Sequence, residues 1–203
     1  EAGLRSFDRS MPEEHNRVIT DQLSDLFFVT EESGKKNLLK EGKPVQAIHF
    51  VGNTMIDTLV AFEPVIKQST ILGDLDLSAG KFVLMTMHRP SNVDSREGLE
   101  KIISLIEHFL VDYKVVFPVH PRTLNRIREF GLLPQFEKDP RRLILTEPKD
   151  YFSFQRLIAG SRFVVTDSGG VQEETTFRGV SCFTLRPNTE RPSTIPDGTN
   201  ELV

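Results

Sequence analysis

The sequence predicts an α/β protein in which a parallel sheet lies between two layers of helices. Apolar runs alternate with helical patterns along the 203 residues, and only short connections separate them. The apolar runs are nearly continuous in Val, Ile, Leu and Phe, as expected for strands that are buried on both faces. Strict alternation of strand and helix is typical of parallel sheets.

The individual elements follow from these patterns in chain order. Strands are predicted at residues 26–30, 48–51, 82–87, 114–119, 143–147, 163–167 and 182–185. Helices are predicted at residues 12–24, 31–42, 53–68, 96–111, 121–131, 150–159 and 170–178. Residues 64–80 lose the pattern, so we expect a surface connection there.

The turn signal at Gly52-Asn53 divides the chain into two predicted domains, because these residues can act as a hinge or as a helix cap. Residues 1–52 are expected to be the end of a first domain, and residues 53–203 most of a second. The chain begins without Met and ends without a predicted last helix. We therefore expect it to be part of a longer protein.

Composition excludes several classes of function. The net charge of −4 argues against a general nucleic-acid surface, which needs a concentrated positive face. No apolar run approaches the length of a membrane span, and no signal peptide opens the chain. The single Cys182 lies in an apolar run and is expected to be a core residue in a reducing compartment. These features predict a soluble, cytoplasmic protein with neither nucleic-acid nor membrane partners.

Polar residues follow the predicted strands at the points where the strands end. Because parallel strands direct their carboxyl ends to one edge of a sheet, these residues should meet at a ligand site. The residues are His88-Arg89 after the third strand, His120 after the fourth, Glu147 after the fifth, Asp167-Ser168-Gly169-Gly170 after the sixth, and Arg186 after the last.

The Ser168-Gly169-Gly170 turn is suited to holding a diphosphate. Glycines let a phosphate approach the backbone, and the following helix offers unpaired N–H groups and a partial positive charge. Glu173 and Glu174, about one turn later, are possible acceptors for ribose hydroxyls. The alternative is a plain Asp-Ser helix cap with glycines in a tight turn.

His88 lies in a polar loop, where a histidine can donate to phosphate or act as a general acid. The alternative is a histidine that only caps the next helix. His120 is a similar but weaker candidate. The chain has no Cys cluster and no His-x-x-x-His pair, so no metal site is predicted.

A second polar cluster lies near the amino terminus. Pro12 suits the first turn of a helix, which places Glu13 and Arg17 four residues apart on one face. Glu1 and Arg5 lie just upstream. Carboxylates backed by arginine are what general acid/base catalysis across a cleft would need, although an ordinary surface ion pair has the same spacing.

The motifs together resemble the UDP-N-acetylglucosamine 2-epimerases of the non-hydrolysing type. They are, in order, EAGLRS, PEEHNR, VGNTMIDT, MHRPSN, EPKDYFSF, TDSGGVQEE and TERP. The resemblance spans essentially the whole chain. It implies the glycosyltransferase-B architecture, with a site between two Rossmann-like domains. The first domain would be only partly present, and the family's C-terminal helices would be absent.

The resemblance also implies a reaction. The family interconverts UDP-N-acetylglucosamine and UDP-N-acetylmannosamine by eliminating UDP to a 2-acetamidoglucal and then re-adding it, with the C2 proton returned on the other face. It uses no metal or nicotinamide cofactor. Its members are often homodimers, so a homodimer is expected for the full-length protein.

The resemblance carries site roles onto individual residues. Glu1 and Glu13 match the acid/base carboxylates, Arg17 matches the arginine beside them, and His88 matches a histidine that assists departure of UDP. The predicted UDP-binding residues are Ser168, Gly169 and Gly170 for the diphosphate, Glu174 for the ribose, Phe154 for the uracil through its backbone, and Arg191 for the phosphate and sugar region.

One loop departs from the family pattern. Many relatives read His-Arg-Arg-Glu-Asn where this chain has His88-Arg89-Pro90-Ser91-Asn92. The exact UDP-sugar and activation by substrate therefore stay open. The alternatives are a hydrolysing epimerase, a glycosyltransferase of the same architecture, or a nucleotide-sugar binding module without catalysis. We expect this chain alone to bind UDP weakly and to turn over little.

Overall fold

The computed structural model describes residues 1–203 and contains two parallel sheets. A two-stranded sheet pairs β1 (Phe27–Val29) with β2 (Ile48–Phe50). A six-stranded sheet has the order β5-β4-β3-β6-β7-β8, and every pair in it is parallel. Its strands are β3 (Phe82–Thr86), β4 (Lys114–Pro118), β5 (Leu143–Thr146), β6 (Phe163–Thr166), β7 (Cys182–Thr184) and β8 (Asn200–Leu202).

Ten α-helices connect the strands. They are α1 (Pro12–Leu23), α2 (Glu32–Lys40), α3 (Thr54–Gln68), α4 (Ile71–Asp74), α5 (Pro90–Val93), α6 (Arg96–Phe109), α7 (Pro121–Glu129), α8 (Leu133–Phe136), α9 (Tyr151–Gly160) and α10 (Gly169–Arg178). Single 3₁₀ turns occur at Val45–Ala47 and Pro192–Thr194. None of the helices is long and apolar enough to cross a membrane.

The strand order of the larger sheet fixes the position of a crevice. From β3 the chain moves outward to β4 and β5, and it then returns to the other side of β3 to form β6, β7 and β8. Open α/β sheets bind ligands where the strand order reverses, outside the carboxyl ends of the strands. That point lies between β3 and β6 in this sheet.

Two apolar clusters hold the larger sheet between its helices. One cluster joins β3, β4 and β5 to α6 and α7 through residues such as Leu99 and Ile127. The other packs α4, α9 and α10 against the sheet through residues such as Leu157 and Val171. A smaller cluster around Phe27 lies between β1, β2 and α2.

The predicted parallel α/β fold is confirmed, and each predicted strand and helix is present with small differences at its ends. Asn53 caps α3 by accepting from the Met55 amide, and Gly52 has a positive φ of 76°. Cys182 is buried and unpaired.

The expectation of a surface connection at residues 64–80 is wrong in part, because most of these residues are exposed but a short helix and three buried side chains interrupt the connection. Helix α3 continues to Gln68, and α4 follows it. Ile66, Ile71 and Leu77 are all buried, and the last two belong to the cluster on the α9 side of the sheet. Their apolar side chains lie too far apart in sequence for a regular helical pattern, which is why the periodicity missed them. Strand β8, a three-residue edge strand, was also not predicted from the sequence pattern.

Candidate functional site

The first turn of α10 begins directly after β6, at the crevice. Ser168 occupies the N-cap position with extended backbone (φ −89°, ψ 132°), yet its side chain makes no capping hydrogen bond. The first amides of a helix have no intrahelical acceptor, and the helix dipole adds positive charge there. The cap alternative for Ser168 is therefore not observed, and the hydroxyl and amides remain available to an anion.

Close packing makes a glycine necessary at the start of α10. A Cβ atom on Gly169 would lie 2.2 Å from Oε1 of Glu190, whereas one on Gly170 would lie 3.1 Å from the methyl carbon of Met55. Glu190 accepts from Nη2 of Arg186 at 2.7 Å, and both side chains are buried. The backbone at Gly169 thus contacts a buried ion pair directly.

Arginines surround this helix terminus. Nη1 of Arg186 is buried without a hydrogen-bond partner. Burial and the neighbouring Arg186 lower the pKa of Arg89. Burial opposes ionisation of Glu190, but the hydrogen bond from Arg186 holds its pKa below the ordinary value. The crevice therefore carries cations with spare hydrogen-bond donors, a setting that suits a diphosphate.

His88 and Asp167 meet at the carboxyl ends of β3 and β6. Oδ1 of Asp167 lies 2.9 Å from Nδ1 of His88. Oδ2 accepts from the amide of Arg89 at 2.8 Å and from Nδ2 of Asn92 at 3.1 Å. Burial opposes ionisation of this fully buried carboxyl, yet the hydrogen bonds from His88, Arg89 and Asn92 keep the pKa of Asp167 below its ordinary value.

The two histidine loops differ in what their rings do. Arg89 is the N-cap of α5 and makes no side-chain cap, so the helix-cap alternative for His88 is wrong. His120 does cap its helix, because Nδ1 accepts from the Arg122 amide at 3.2 Å. The two rings lie 6.0 Å apart between centroids.

The amino-terminal segment reaches the α10 side of the crevice through Glu1. Oε1 of Glu1 accepts from Arg191 at 2.7 Å, and Oε2 accepts from Arg17 at 3.3 Å. Arg191 also lies 3.3 Å from Glu173, so Glu173 pairs with an arginine. Burial raises the pKa of Glu173; Arg191 opposes this rise, and nearby carboxylates add to it.

The two neighbouring glutamates of α1 have different environments. Glu14 is buried and pairs with Arg17 at 2.9 Å. It also accepts from the amides of Ser6 and Phe7 at 2.9 Å each. Burial opposes ionisation, but these bonds hold the pKa of Glu14 below its ordinary value. Glu13 is exposed, and it lines a 510 Å³ cleft together with Glu1 and Arg17.

The remaining predicted residues lie where α9 meets α10. Glu174 is buried in the second turn of α10. Burial raises its pKa, which Gln155 and Arg178 partly oppose. Phe154 is half-buried on α9 and packs against the apolar cluster on that face. Along α10, the glycines and Glu174 are thus one helical turn apart, a separation that suits a diphosphate and its ribose.

Sequence reasoning did not assign a role to Asp167, Arg186, Glu190 or Glu14. The carboxyl-edge rule did place Asp167 and Arg186 among the strand-end residues expected at a ligand site, although without a role of their own, and Glu190 follows four residues after Arg186. Glu14 gave no signal, because its neighbour Glu13 has the same chemistry. A cavity of 1170 Å³ lies beside α6, β6 and β7 and contains none of the predicted site residues. No group of three or more His, Cys, Asp or Glu side chains is placed to hold a metal.

Comparison with known proteins gives consistent matches. A curated UDP-N-acetylglucosamine 2-epimerase of Methanocaldococcus jannaschii is 42% identical over 208 residues, which cover all of this chain and 57% of that protein. The crystal structure of the enzyme of that name from the same organism, in complex with UDP-GlcNAc and UDP, is 41% identical with a TM-score of 0.89. It is matched over all of this chain and 57% of its own.

Another curated relative has a different name. The UDP-2,3-diacetamido-2,3-dideoxy-D-glucuronate 2-epimerase of Pseudomonas aeruginosa is 36% identical over 206 residues, covering all of this chain and 55% of that protein. The chain thus spans little more than half the length of these curated relatives. The family model described as UDP-N-acetylglucosamine 2-epimerase matches residues 1–203. This chain belongs to the UDP-N-acetylglucosamine 2-epimerase family.

Proposed function

We propose that the protein containing this chain interconverts UDP-N-acetylglucosamine and UDP-N-acetylmannosamine. The observation that carries the proposal is the ion pair between Glu1 and Arg191 at 2.7 Å. It joins the amino-terminal carboxylates to the α10 crevice, so that a carboxylate for proton transfer contacts an arginine expected to bind an anionic leaving group. Family membership supports the same activity.

The proposed reaction has an elimination and a re-addition. A base removes the C2 proton, the C1–O bond to UDP breaks, and UDP leaves as an anion. The intermediate is a 2-acetamidoglucal. UDP then adds back at C1 while a proton is delivered to the other face of C2. No step requires a metal or a nicotinamide cofactor.

Local contacts favour Glu13 over Glu14 as the proton-transfer group. Five hydrogen-bond donors engage the Glu14 carboxylate, namely the Ser6 amide and hydroxyl, the Phe7 amide, and Nε and Nη2 of Arg17. Such bonds stabilise the anion and make it a weaker base. Glu13 has no such partners and borders the cleft. We assign proton transfer to Glu13 and Glu1, and charge support to Arg17.

The crevice would bind the leaving group. The amides of Gly169 and Gly170, with Ser168 and Arg191, would hold the diphosphate, while His88 would give a proton to a β-phosphate oxygen as the C1–O bond breaks. Glu174 would accept from ribose hydroxyls, and the backbone at Phe154 would contact the uracil.

Contacts across the cleft support the non-hydrolysing outcome. Glu31 and Ser193 form a hydrogen bond between the amino-terminal segment and the turn after Arg191. Sulfur of Met11 lies 3.8 Å from Nη1 of Arg89. A closed cleft keeps water from the glucal, because water would otherwise add in place of UDP.

A second UDP-sugar is a specific alternative. The Pseudomonas aeruginosa relative, by its name, acts on a diacetamido uronate at the same carbon. Such a sugar differs from N-acetylglucosamine at C3 and C6, while the nucleotide and C2 are unchanged. The crevice described above would hold the same UDP group in either case.

We further propose that residues 1–52 end a first Rossmann-like domain and that residues 53–203 form most of a second. The full-length protein would be a cytoplasmic homodimer. The 203-residue chain alone would bind UDP weakly and turn over little, because part of the sugar side of the cleft would be missing.

A product assay tests the proposal. Full-length protein is incubated separately with UDP-N-acetylglucosamine and with the UDP-linked diacetamido uronate. The products are resolved by anion-exchange chromatography. We expect the UDP-N-acetylmannosamine epimer from the first substrate. Free sugar plus UDP would indicate a hydrolase. Faster conversion of the uronate would assign the second substrate. Binding of UDP without conversion of either substrate would support a binding module and overturn the proposed activity.

A further inference from the structure

We propose that Asp167 is a positioning residue for His88, holding the ring so that Nδ1 carries the proton and Nε2 faces the ligand. The inference rests on the proposed role of His88 in departure of UDP. It assigns a function to a buried carboxylate that precedes the Ser168 turn and has no proposed role in binding UDP or the sugar. The geometry described next carries it.

The two oxygens of Asp167 have different partners. Oδ2 accepts from the amides of His88 and Arg89, at 3.0 and 2.8 Å, and from Nδ2 of Asn92 at 3.1 Å. Oδ1 lies 2.9 Å from Nδ1 of His88 and has only a longer 3.2 Å contact with the His88 amide. Oδ2 therefore holds the His88 loop in place, and Oδ1 holds the imidazole ring.

The ring orientation follows from this arrangement. A carboxylate that accepts from Nδ1 selects the tautomer with its proton on that nitrogen. Nε2 then lies on the side of the ring away from Asp167. The His88 side chain is 44% exposed. In this orientation an imidazolium can give its Nε2 proton to a departing phosphate.

The proton moves from Nε2 to a β-phosphate oxygen as the C1–O bond breaks, and the ring becomes neutral. It returns to Nε2 when UDP adds back. Asp167 stays ionised throughout, so its contribution is to the orientation of the ring.

The same asymmetry predicts what asparagine would do in place of Asp167. Oδ2 faces three donors, so the amide oxygen of the variant should take that position. The amide NH₂ group then takes the Oδ1 position and donates to Nδ1 of His88. The variant should therefore select the opposite tautomer, with the proton on Nε2, while keeping the loop in place.

The test compares Asp167→Asn with Asn92→Ala, a control that removes one bond to Oδ2 and leaves Oδ1 unchanged. Two-bond ¹H–¹⁵N spectra of His88 report the tautomer in the 203-residue chain and need no activity. Turnover and UDP affinity are measured in the full-length enzyme. General acid–base catalysis is worth about 10²–10⁴-fold, so we expect Asp167→Asn to lower kcat by about 10²-fold or more.

We expect Asp167→Asn to move the His88 proton to Nε2 and to change UDP affinity less than about threefold, while Asn92→Ala keeps the Nδ1–H form. An unchanged tautomer in Asp167→Asn, or the same change in both variants, would overturn the positioning role. A changed tautomer with wild-type kcat would also overturn it. If the wild-type enzyme has no epimerase activity, the proposed function fails separately, because the spectra still report whether Asp167 sets the tautomer.

Discussion

Replacing Gly169 by alanine should disrupt the ion pair that packs against the start of α10. The new Cβ would lie 2.2 Å from Oε1 of Glu190 and must gain about 1.2 Å to reach ordinary contact. A shift of that size would break the 2.7 Å bond between Glu190 and Arg186. Breaking a buried ion pair costs ~3–5 kcal/mol, and the better helix propensity of alanine returns up to ~1 kcal/mol.

The expected net loss for Gly169→Ala is therefore ~2–4 kcal/mol, or roughly 4–16 °C in Tm for a chain of this size. Urea unfolding followed by circular dichroism measures the change. Gly170→Ala is the matched control, because its Cβ would meet only the flexible end of Met55 at 3.1 Å. We expect that variant to lose less than ~1 kcal/mol.

A double-mutant cycle identifies the cause of the loss. Glu190→Ala removes the atom that collides with the new Cβ, so Gly169→Ala should cost little in that background. An equal cost in both backgrounds would refute the reasoning, since it would show that contact with Glu190 is not the source of the instability.

Three further predictions concern single residues. Because the pKa of Glu14 is depressed, its ionised carboxylate stabilises the fold at pH values above the ordinary glutamate pKa of 4.5, and this stabilisation is lost as the pH falls through the depressed pKa. In urea unfolding at several pH values, Glu14→Gln should therefore show a smaller loss of stability at acid pH than the wild type. An equal loss in both proteins would contradict this. Ser168→Ala should weaken UDP binding about tenfold by calorimetry, since it removes a hydrogen bond to a charged group; unchanged affinity would exclude the hydroxyl from the site. Cys182 is 1% exposed and burial raises its pKa, so a thiol reagent should label it only at the rate of unfolding, and rapid labelling of native protein would be inconsistent with that burial.

Sequence patterns predicted the sheet well because its central strands are long apolar runs. The edge strand Asn200–Leu202 was not predicted because it has three residues and a polar start, and no α-helix separates it from Cys182–Thr184. The burial of side chains within residues 71–77 was not predicted, because isolated apolar side chains in and around a short helix show no regular period. Tertiary packing decided the burial of both segments.

The sequence predicted which loops form the candidate site, but not which side chains contact each other within it. The position of His88 and of the Ser168 turn follows from strand ends, which periodicity locates. The contact between His88 and Asp167 joins residues 79 positions apart, and no local pattern contains it. Likewise, the choice of Glu14 over Glu13 as the partner of Arg17 depends on how the Ser6 backbone folds over α1.

The central claim is that Glu13 moves a proton at C2 while the α10 crevice holds UDP. The most direct measurement follows deuterium at C2 by NMR when the full-length protein converts UDP-N-acetylglucosamine in D₂O. We expect deuterium at C2 in the wild-type product, and no exchange in Glu13→Gln despite retained UDP binding. Product with hydrogen at C2, or full exchange in Glu13→Gln, would contradict the account.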